Sequence, residues 1–102
     1  MIEIEEYLDD SDNSPFGRWF DHLDGRAAAK VTTAITRMSQ GNFSNVKGVG
    51  HGVLEFRIDY GPGYRIYFGK DGKKLVILLA GGPKKRQQHD IEAAHQRKMV
   101  RL

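Results

Sequence analysis

The chain contains no cysteine, which excludes a disulfide framework and thiolate chemistry. It has no apolar run close to the roughly 20 residues that a membrane-spanning helix requires. Its N-terminal stretch is acidic, unlike the basic start of a secretion signal. We therefore expect a cytoplasmic protein without a membrane segment. Its 102 residues fit one domain with a modest core, over residues 1–102.

Acidic and basic residues are unevenly distributed along the chain. Residues 1–24 hold eight carboxylates and one base, whereas residues 25–102 hold fifteen bases and five carboxylates. The basic part predicts an anionic partner, of which nucleic acid is the commonest. Surface charge that only maintains solubility gives the same distribution, so the composition leaves both interpretations open.

Residues 53–67, VLEFRIDYGPGYRIY, predict two strands joined by a tight Gly-Pro-Gly turn. Pairing Tyr60 with Tyr64 across this turn places Arg57 opposite Tyr67. Strict alternation makes one face of the predicted hairpin apolar. The opposite face carries a polar cluster made of Glu55, Arg57, Arg65 and Tyr67.

Two helices are predicted before this hairpin. Residues 2–8 alternate and indicate a first strand, after which Ser14 and Pro15 form a helix start. A second helix covers about residues 26–40, and residues 41–52 are interpreted as a glycine-rich loop. The two helices are expected to form a hairpin over the apolar face of the sheet.

After the hairpin, residues 74–80 predict a strand covered on both faces, which ends at Gly81. A terminal helix follows from about residue 88, with Asp90 as its cap and Leu102 on its weak apolar side. The order β-α-α-β-β-β-α predicts an α+β fold in which a small antiparallel sheet carries the helical hairpin on one face.

Basic side chains on rigid strands suit phosphate binding, because guanidinium groups bind phosphate oxygens in a bidentate way. Metal-free RNA cleavage uses the 2′-hydroxyl of the RNA itself and needs a base, an acid and an anion clamp. The four histidines lack metal-ligand spacing, so we expect neither a metal nor another cofactor. By chemistry alone, surface ion pairs across the strands explain the cluster equally well.

Five segments carry a family resemblance: residues 16–23 (FGRWFDHL), 41–53 (GNFSNVKGVGHGV), 55–57 (EFR), 61–68 (GPGYRIYF) and 81–91 (GGPKKRQQHDI). In this order they resemble the RelE/ParE toxin superfamily. They are most similar to its branch of phage-derived addiction-module killer proteins, which are HigB-like. The resemblance implies a RelE-like fold for the whole chain.

The resemblance also implies a toxin of a type II toxin–antitoxin system, a metal-independent and ribosome-dependent mRNA endonuclease. Its implied partners are the ribosome, mRNA and a cognate antitoxin, often a helix-turn-helix protein. The implied catalytic residues are Arg57, Arg65, Lys84, Tyr67 and Glu55, with the arginines as anion clamps and Tyr67 stacking on a base or assisting. The implied RNA-binding residues are Lys47, Lys85, Arg86, Arg97 and Lys98.

One departure and two alternatives accompany this resemblance. Pro83 stands where the branch usually has aspartate. ParE relatives share the fold but act on DNA gyrase without cleaving RNA, so the fold alone does not determine the activity. An inactive remnant that binds an antitoxin or nucleic acid is the other alternative.

Overall fold

The computed structural model describes residues 1–101, which form one five-stranded sheet and three helices. The strands are β1 Glu3–Glu6, β2 Val46–Gly48, β3 Leu54–Ile58, β4 Tyr64–Asp71 and β5 Leu75–Pro83. The helices are α1 Pro15–Asp21, α2 Gly25–Ser39 and α3 Gln87–Arg101, and a 3-10 turn, Lys84–Arg86, precedes α3. The predicted α+β class is confirmed, while Leu102 lies outside the described residues. None of the helices in this range is long and apolar enough to cross a membrane.

The sheet has the strand order β1-β5-β4-β3-β2. Its last four strands are antiparallel, but β1 runs parallel to β5, with Glu3 opposite Leu75. The sheet was expected to be antiparallel, but it is mixed, because β1 pairs in parallel with the outer edge of β5. The glycine-rich segment was predicted as a loop, but it contains β2, a three-residue edge strand in which Lys47 pairs with Glu55.

The register of the central hairpin differs from the predicted one by two residues. Arg57 lies opposite Arg65, and Glu55 lies opposite Tyr67. The connection is longer than expected because a turn closed by the Gly63 N–H and the Tyr60 carbonyl, 3.0 Å apart, keeps Tyr60 out of the ladder. A shift of two residues preserves the face of every side chain, so the predicted faces are correct although the predicted partners are wrong.

One face of the sheet packs against the helical hairpin, as predicted. Helix α1 begins where the Ser14 hydroxyl accepts a hydrogen bond of 2.8 Å from the Gly17 N–H. Asp24 caps α2 in the same way through the Ala27 N–H, at 2.9 Å. The apolar stripes of both helices meet the sheet in one cluster that includes Phe16, Val31, Ala34, Met38, Phe56, Ile66, Phe68 and Leu78.

The opposite face of the sheet packs against α3. Ala94 of α3 is fully buried in a second apolar cluster that includes Val53, Tyr67, Ile77 and Leu79. Strand β5 therefore contacts helices on both faces, which explains its nearly continuous apolar sequence and confirms its predicted position. Because α3 packs mainly on β4 and β5, it leaves Arg57 on β3 exposed.

Gly81 lies within β5, although the sequence predicted that the strand would end there. A Cβ atom at this position would overlap the ring of Trp19 on α1. We expect Gly81→Ala to lower the free energy of unfolding by about 1–3 kcal/mol, because the indole has to move. Urea denaturation measures the change.

Gly48→Ala is the matched control for this prediction. Gly48 also lies in a strand, and a Cβ there would have no heavy atom within 4 Å. Its free energy of unfolding should stay within about 0.5 kcal/mol of the original chain. Equal losses in the two variants would contradict the steric explanation.

Candidate functional site

Two arginines face each other on the sheet face that α3 leaves partly open. Arg57 on β3 and Arg65 on β4 are directly opposite in the ladder. Opposed residues of this kind have Cβ atoms about 5 Å apart, and two like charges in that position are destabilising. Within residues 1–101, neither guanidinium has a carboxylate oxygen within 4.0 Å. The pair therefore forms a local concentration of positive charge with which no described carboxylate pairs directly.

The two arginines line one cleft with two lysines. This basic cleft, defined by Lys47, Arg57, Arg65 and Lys84, has a volume of about 460 Å³. Strand β2 brings Lys47 to the cleft, and the turn after β5 brings Lys84. The described residues that line the basic cleft include these four cations and one carboxylate, Asp59. The lining therefore has an excess of three positive charges.

The carbonyl of Gly63 holds two sides of the basic cleft together. It accepts a hydrogen bond of 2.7 Å from the Lys84 backbone N–H and one of 3.1 Å from Arg65 Nη1. The Arg65 side chain is only 5% exposed, and its Nε has no hydrogen-bond partner among residues 1–101. A guanidinium that is fixed in this way at a cleft is suited to donate to an anion through its terminal nitrogens, whereas its Nε is buried.

Glu55 and Tyr67 lie one row further along the sheet, beneath α3. Both side chains are completely buried. Glu55 Oε2 accepts a hydrogen bond of 2.8 Å from Gln87 Nε2, and Oε1 lies 3.8 Å from Lys47 Nζ. Glu55 therefore places a buried carboxylate close to Lys47, beneath the basic cleft.

Burial, together with the neighbouring Glu55 carboxylate, raises the pKa of the Tyr67 phenol well above its ordinary value. The phenol stays neutral at physiological pH. Stacking of a base on Tyr67 was expected from the resemblance, and this placement contradicts it because no ring face reaches solvent.

The remaining predicted RNA-binding residues do not line the basic cleft. Lys85 is exposed on the 3-10 turn. Arg86 and Arg97 line a second cleft between α1 and α3, and Arg97 Nη1 donates a hydrogen bond of 2.9 Å to the Leu79 carbonyl. Lys98 lies along Gly69 and Gly52. The fold therefore places Arg86 and Arg97 at the second cleft, whereas Lys85 and Lys98 line neither of the two clefts.

Asn45, Asp59 and Asp90 are among the cleft-lining residues that were not predicted as site residues. Asn45 and Asp59 line the basic cleft. Asp59 continues the alternating pattern of β3, so the sequence indicated that it belongs to the strand. Asp90 was predicted as a helix cap, but it lies inside the first turn of α3 and is 8% exposed. The Asp90 carboxylate lies against Gly82, and a Cβ atom on residue 82 would overlap it. This contact depends on the fold and could not be predicted from the sequence.

Burial raises the pKa of the Asp90 carboxyl, and the nearby Arg86, His89 and Arg97 offset this only in part. The folded chain therefore binds this proton more tightly than the unfolded chain does. The resulting stability is fully present below the ordinary pKa and is lost as the pH rises through the folded value. We expect Asp90→Asn to exceed the original chain in stability at pH 7, and the difference to vanish near pH 3. Urea denaturation between pH 3 and pH 7 measures this difference in stability, with Asp71→Asn, a change at an exposed carboxylate, as the control. A difference that does not change with pH would contradict the prediction.

Two of the four histidines, His51 and His95, pack against each other. Within residues 1–101, no group of three or more His, Asp or Glu side chains is placed to hold a metal ion. His51 and His95 contact each other, with ring centroids 4.5 Å apart, and the His95 Nε2–H donates to the Val49 carbonyl at 2.9 Å. This contact ties the segment after β2 to α3.

Comparison with known proteins gives two findings. The family model described as phage-derived protein Gp49-like (DUF891) matches residues 18–99. An uncharacterized protein of Haemophilus influenzae is 45% identical over 80 residues, which represent 78% of this chain and 81% of that protein. The range matched by the family model contains all four basic residues of the basic cleft.

Proposed function

Since the chain belongs to the phage-derived Gp49-like family, a family of the RelE/toxin-like type, we propose that it is the toxin of a type II toxin–antitoxin system. Its proposed activity is cleavage of mRNA on the ribosome without a metal ion, as in HigB-like members of the RelE/ParE superfamily. The family membership supports a toxin-like function, and the basic cleft supports RNA as the target.

The opposed pair Arg57 and Arg65 is the observation that carries this proposal. Like charges directly opposite in a ladder destabilise the sheet, so a structural role does not explain them. A phosphodiester bound between them neutralises the repulsion and accepts charge-assisted hydrogen bonds from both guanidinium groups. Lys47 and Lys84 extend the basic cleft on either side, where they can meet neighbouring phosphates.

The proposed reaction uses the RNA as its own nucleophile. The 2′-oxygen forms a bond to the adjacent phosphorus, and the bond from phosphorus to the 5′-oxygen breaks. One proton leaves the 2′-hydroxyl for a base, and one reaches the 5′-oxygen from an acid. Arg57 and Arg65 stabilise the charge that develops on the phosphoryl oxygens. Lys84 or Lys47, as an ammonium, is suited to donate the second proton.

The proline that departs from the family pattern does not remove a group from the basic cleft. Pro83 pairs with Tyr64 at the end of β5 and lines the second cleft instead. The four cations of the basic cleft are retained in this chain. We therefore retain the catalytic proposal in spite of this substitution.

The proposed partner is a cognate antitoxin, a small helix-turn-helix protein that inhibits by covering the basic cleft. Acidic side chains of such a partner could pair with Arg57 and Lys84, which are both exposed. A complex in which Arg57, Arg65 and Lys84 all stay open to solvent would contradict direct blocking.

Mapping of mRNA 5′ ends after induction in bacteria tests the proposed activity. New cuts inside reading frames that disappear when translation is blocked are the expected result. The Arg57→Ala,Arg65→Ala double variant, produced at the same level, should give no new cuts. Growth arrest without cuts, accompanied by DNA-damage signalling, would replace the proposal with a gyrase-directed toxin.

A further inference from the structure

Strand β5 extends well beyond the strand that pairs with its outer edge. The β1 ladder ends where Glu6 pairs with Leu78, and the Tyr7 N–H adds one bond of 2.9 Å to the Leu78 carbonyl. Strand β5 continues to Pro83, with β4 along its inner edge. Within residues 1–101, no strand therefore pairs with the outer edge of residues 79–83.

A turn after β1 prevents the chain itself from covering this edge. The Asp9 carboxylate accepts hydrogen bonds from the N–H groups of Ser11 and Asn13, at 2.9 and 3.0 Å. The turn directs the chain towards α1, which begins at Pro15. Residues 9–13 are thus held in a turn instead of extending β1 along β5.

The second cleft lies at this unpaired edge. Residues 80–83 of β5 line it together with residues of α1 and α3, and its volume is about 530 Å³. Because the two helices pack on opposite faces of the sheet, a cleft that both helices line lies at the edge between the faces. Trp19 closes one face over Gly81, and Asp90 closes the other over Gly82. The opening of the cleft is therefore directed at the edge of the strand.

Arg97 marks the inner end of this edge. Its Nη1 donates a hydrogen bond of 2.9 Å to the Leu79 carbonyl, so a side chain satisfies this group in place of a strand. Further along, Gly81 and Pro83 stay partly exposed. A strand edge without a partner is a template for another chain, and addition of an extended peptide to such an edge is a recurring mode of recognition.

The side chains around the edge favour a peptide of negative charge. The charged and titratable residues that line the cleft are three arginines, two histidines and one carboxylate: Arg18, Arg86, Arg97, His22, His89 and Asp90. Successive side chains of a strand point to opposite faces, so an added strand presents them alternately to α1 and to α3. Arg18 lies on α1 and Arg86 directly precedes α3, and both are exposed. Each face of the added strand thus meets an arginine.

We propose that the second cleft docks an acidic, extended segment of a protein partner, which adds a strand to β5 beside residues 80–83. The backbone of the segment pairs with β5, and its carboxylates reach Arg18 on one face and Arg86 on the other. An RNA strand can meet the same arginines, but it lacks the regular N–H and C=O groups with which a strand edge pairs. The proposal does not depend on whether the chain cleaves RNA.

A synthetic peptide tests the proposal on the full chain. The peptide acetyl-EVEEVE-amide carries carboxylates on both faces of an extended strand. Trp19 lines the cleft and is the only tryptophan of the chain, so binding should change its emission. Binding should also slow hydrogen exchange of the backbone amides in residues 80–82. The basic peptide acetyl-KVKKVK-amide should cause neither change.

Two derivatives of the acidic peptide test the pairing of the backbone. They keep its sequence but carry N-methyl groups on the odd or on the even residues. Only one of these two sets of N–H groups can face β5. One derivative should therefore bind about tenfold more weakly than the original peptide, since it loses two or more hydrogen bonds, while the other binds nearly as well.

Two double variants of the chain test the charge of the partner. Arg18→Ala,Arg86→Ala should weaken binding of the acidic peptide by about tenfold, because two ion pairs are lost. Both changes are at exposed positions, so the fold is retained. Arg26→Ala,Arg37→Ala is the matched control, since it removes the same charge from exposed positions on α2. This control should bind the peptide as the original chain does.

Several results would overturn the proposal. Absence of binding up to roughly 1 mM acidic peptide would exclude the docking site. Equal binding of both N-methylated derivatives and the original peptide would exclude strand addition. Hexauridylate that binds more tightly at the same ionic strength and changes the Trp19 emission would make the cleft a nucleic-acid site. Loss of peptide binding in Arg57→Ala, with full binding in Arg18→Ala,Arg86→Ala, would assign the peptide to the basic cleft.

Discussion

Replacement of Arg65 by alanine is expected to reduce the rate of RNA cleavage by about 10²–10³-fold, the usual effect of removing one donor to a developing oxyanion. Arg65 Nη1 donates to the Gly63 carbonyl at 3.1 Å, so the guanidinium is oriented before the substrate arrives. Cleavage of mRNA in purified ribosome complexes, under single-turnover conditions, measures the loss.

Three further variants make this result interpretable. Arg65→Lys should recover only part of the rate, because it keeps the charge but not the planar fork. Arg26→Ala should cleave normally, because Arg26 is exposed on α2, which packs on the other face of the sheet. Arg57→Ala removes an exposed side chain and covers the case in which Arg65→Ala fails to fold. Folded Arg65→Ala and Arg57→Ala proteins that both cleave at the original rate would refute the site.

RNA affinity is expected to fall by several hundredfold when the salt concentration rises tenfold. If all four cations of the basic cleft contact phosphates, the slope of log K against log[salt] should be about −2.8, at roughly −0.7 per contact with a single strand. Fluorescence anisotropy with 2′-O-methylated RNA measures binding alone, because this RNA lacks the attacking hydroxyl.

A single lysine replacement tests the contact number behind that slope. Lys84→Ala should make the slope less negative by about 0.7, since one phosphate contact is lost. Lys73→Ala should not change it, because Lys73 lies in the β4–β5 turn, at the far end of β4 from Arg65. A slope near zero, or one that responds equally to both replacements, would exclude the basic cleft as the RNA-binding surface.

The sequence predicted the faces of the sheet well because their periodicity is local. Alternation alone placed Arg57 and Arg65 on one face and Phe56 and Ile66 on the other, and a misjudged turn did not alter this. The start of α1 was equally predictable, since the Ser14 hydroxyl satisfies the backbone N–H of Gly17, three residues away.

The sequence did not predict which part of the polar face is covered. Glu55 and Tyr67 share that face with the arginines but are buried, because α3 crosses β4 and β5 and reaches only part of it. The extent of this coverage depends on tertiary packing of residues that are far apart in the chain. Lys47 was predicted as an RNA-binding residue, but its pairing with Glu55 was not predicted. That pairing depends on β2, and a strand of three residues in a glycine-rich segment has too little alternation to be recognised.

The parallel pairing of β1 with β5 has a consequence for folding during synthesis. Glu3 cannot find its partner until Leu75 has been made, so the first strand has to wait for most of the chain. Such long-range pairing is intrinsically slow, and chains grow at about 5–20 residues per second. Until then the exposed first strand carries Glu3, Glu5 and Glu6, whose charges oppose premature association with other strands. The sheet that carries the basic cleft is thus completed only after Leu75 to Leu78 of β5 have been made.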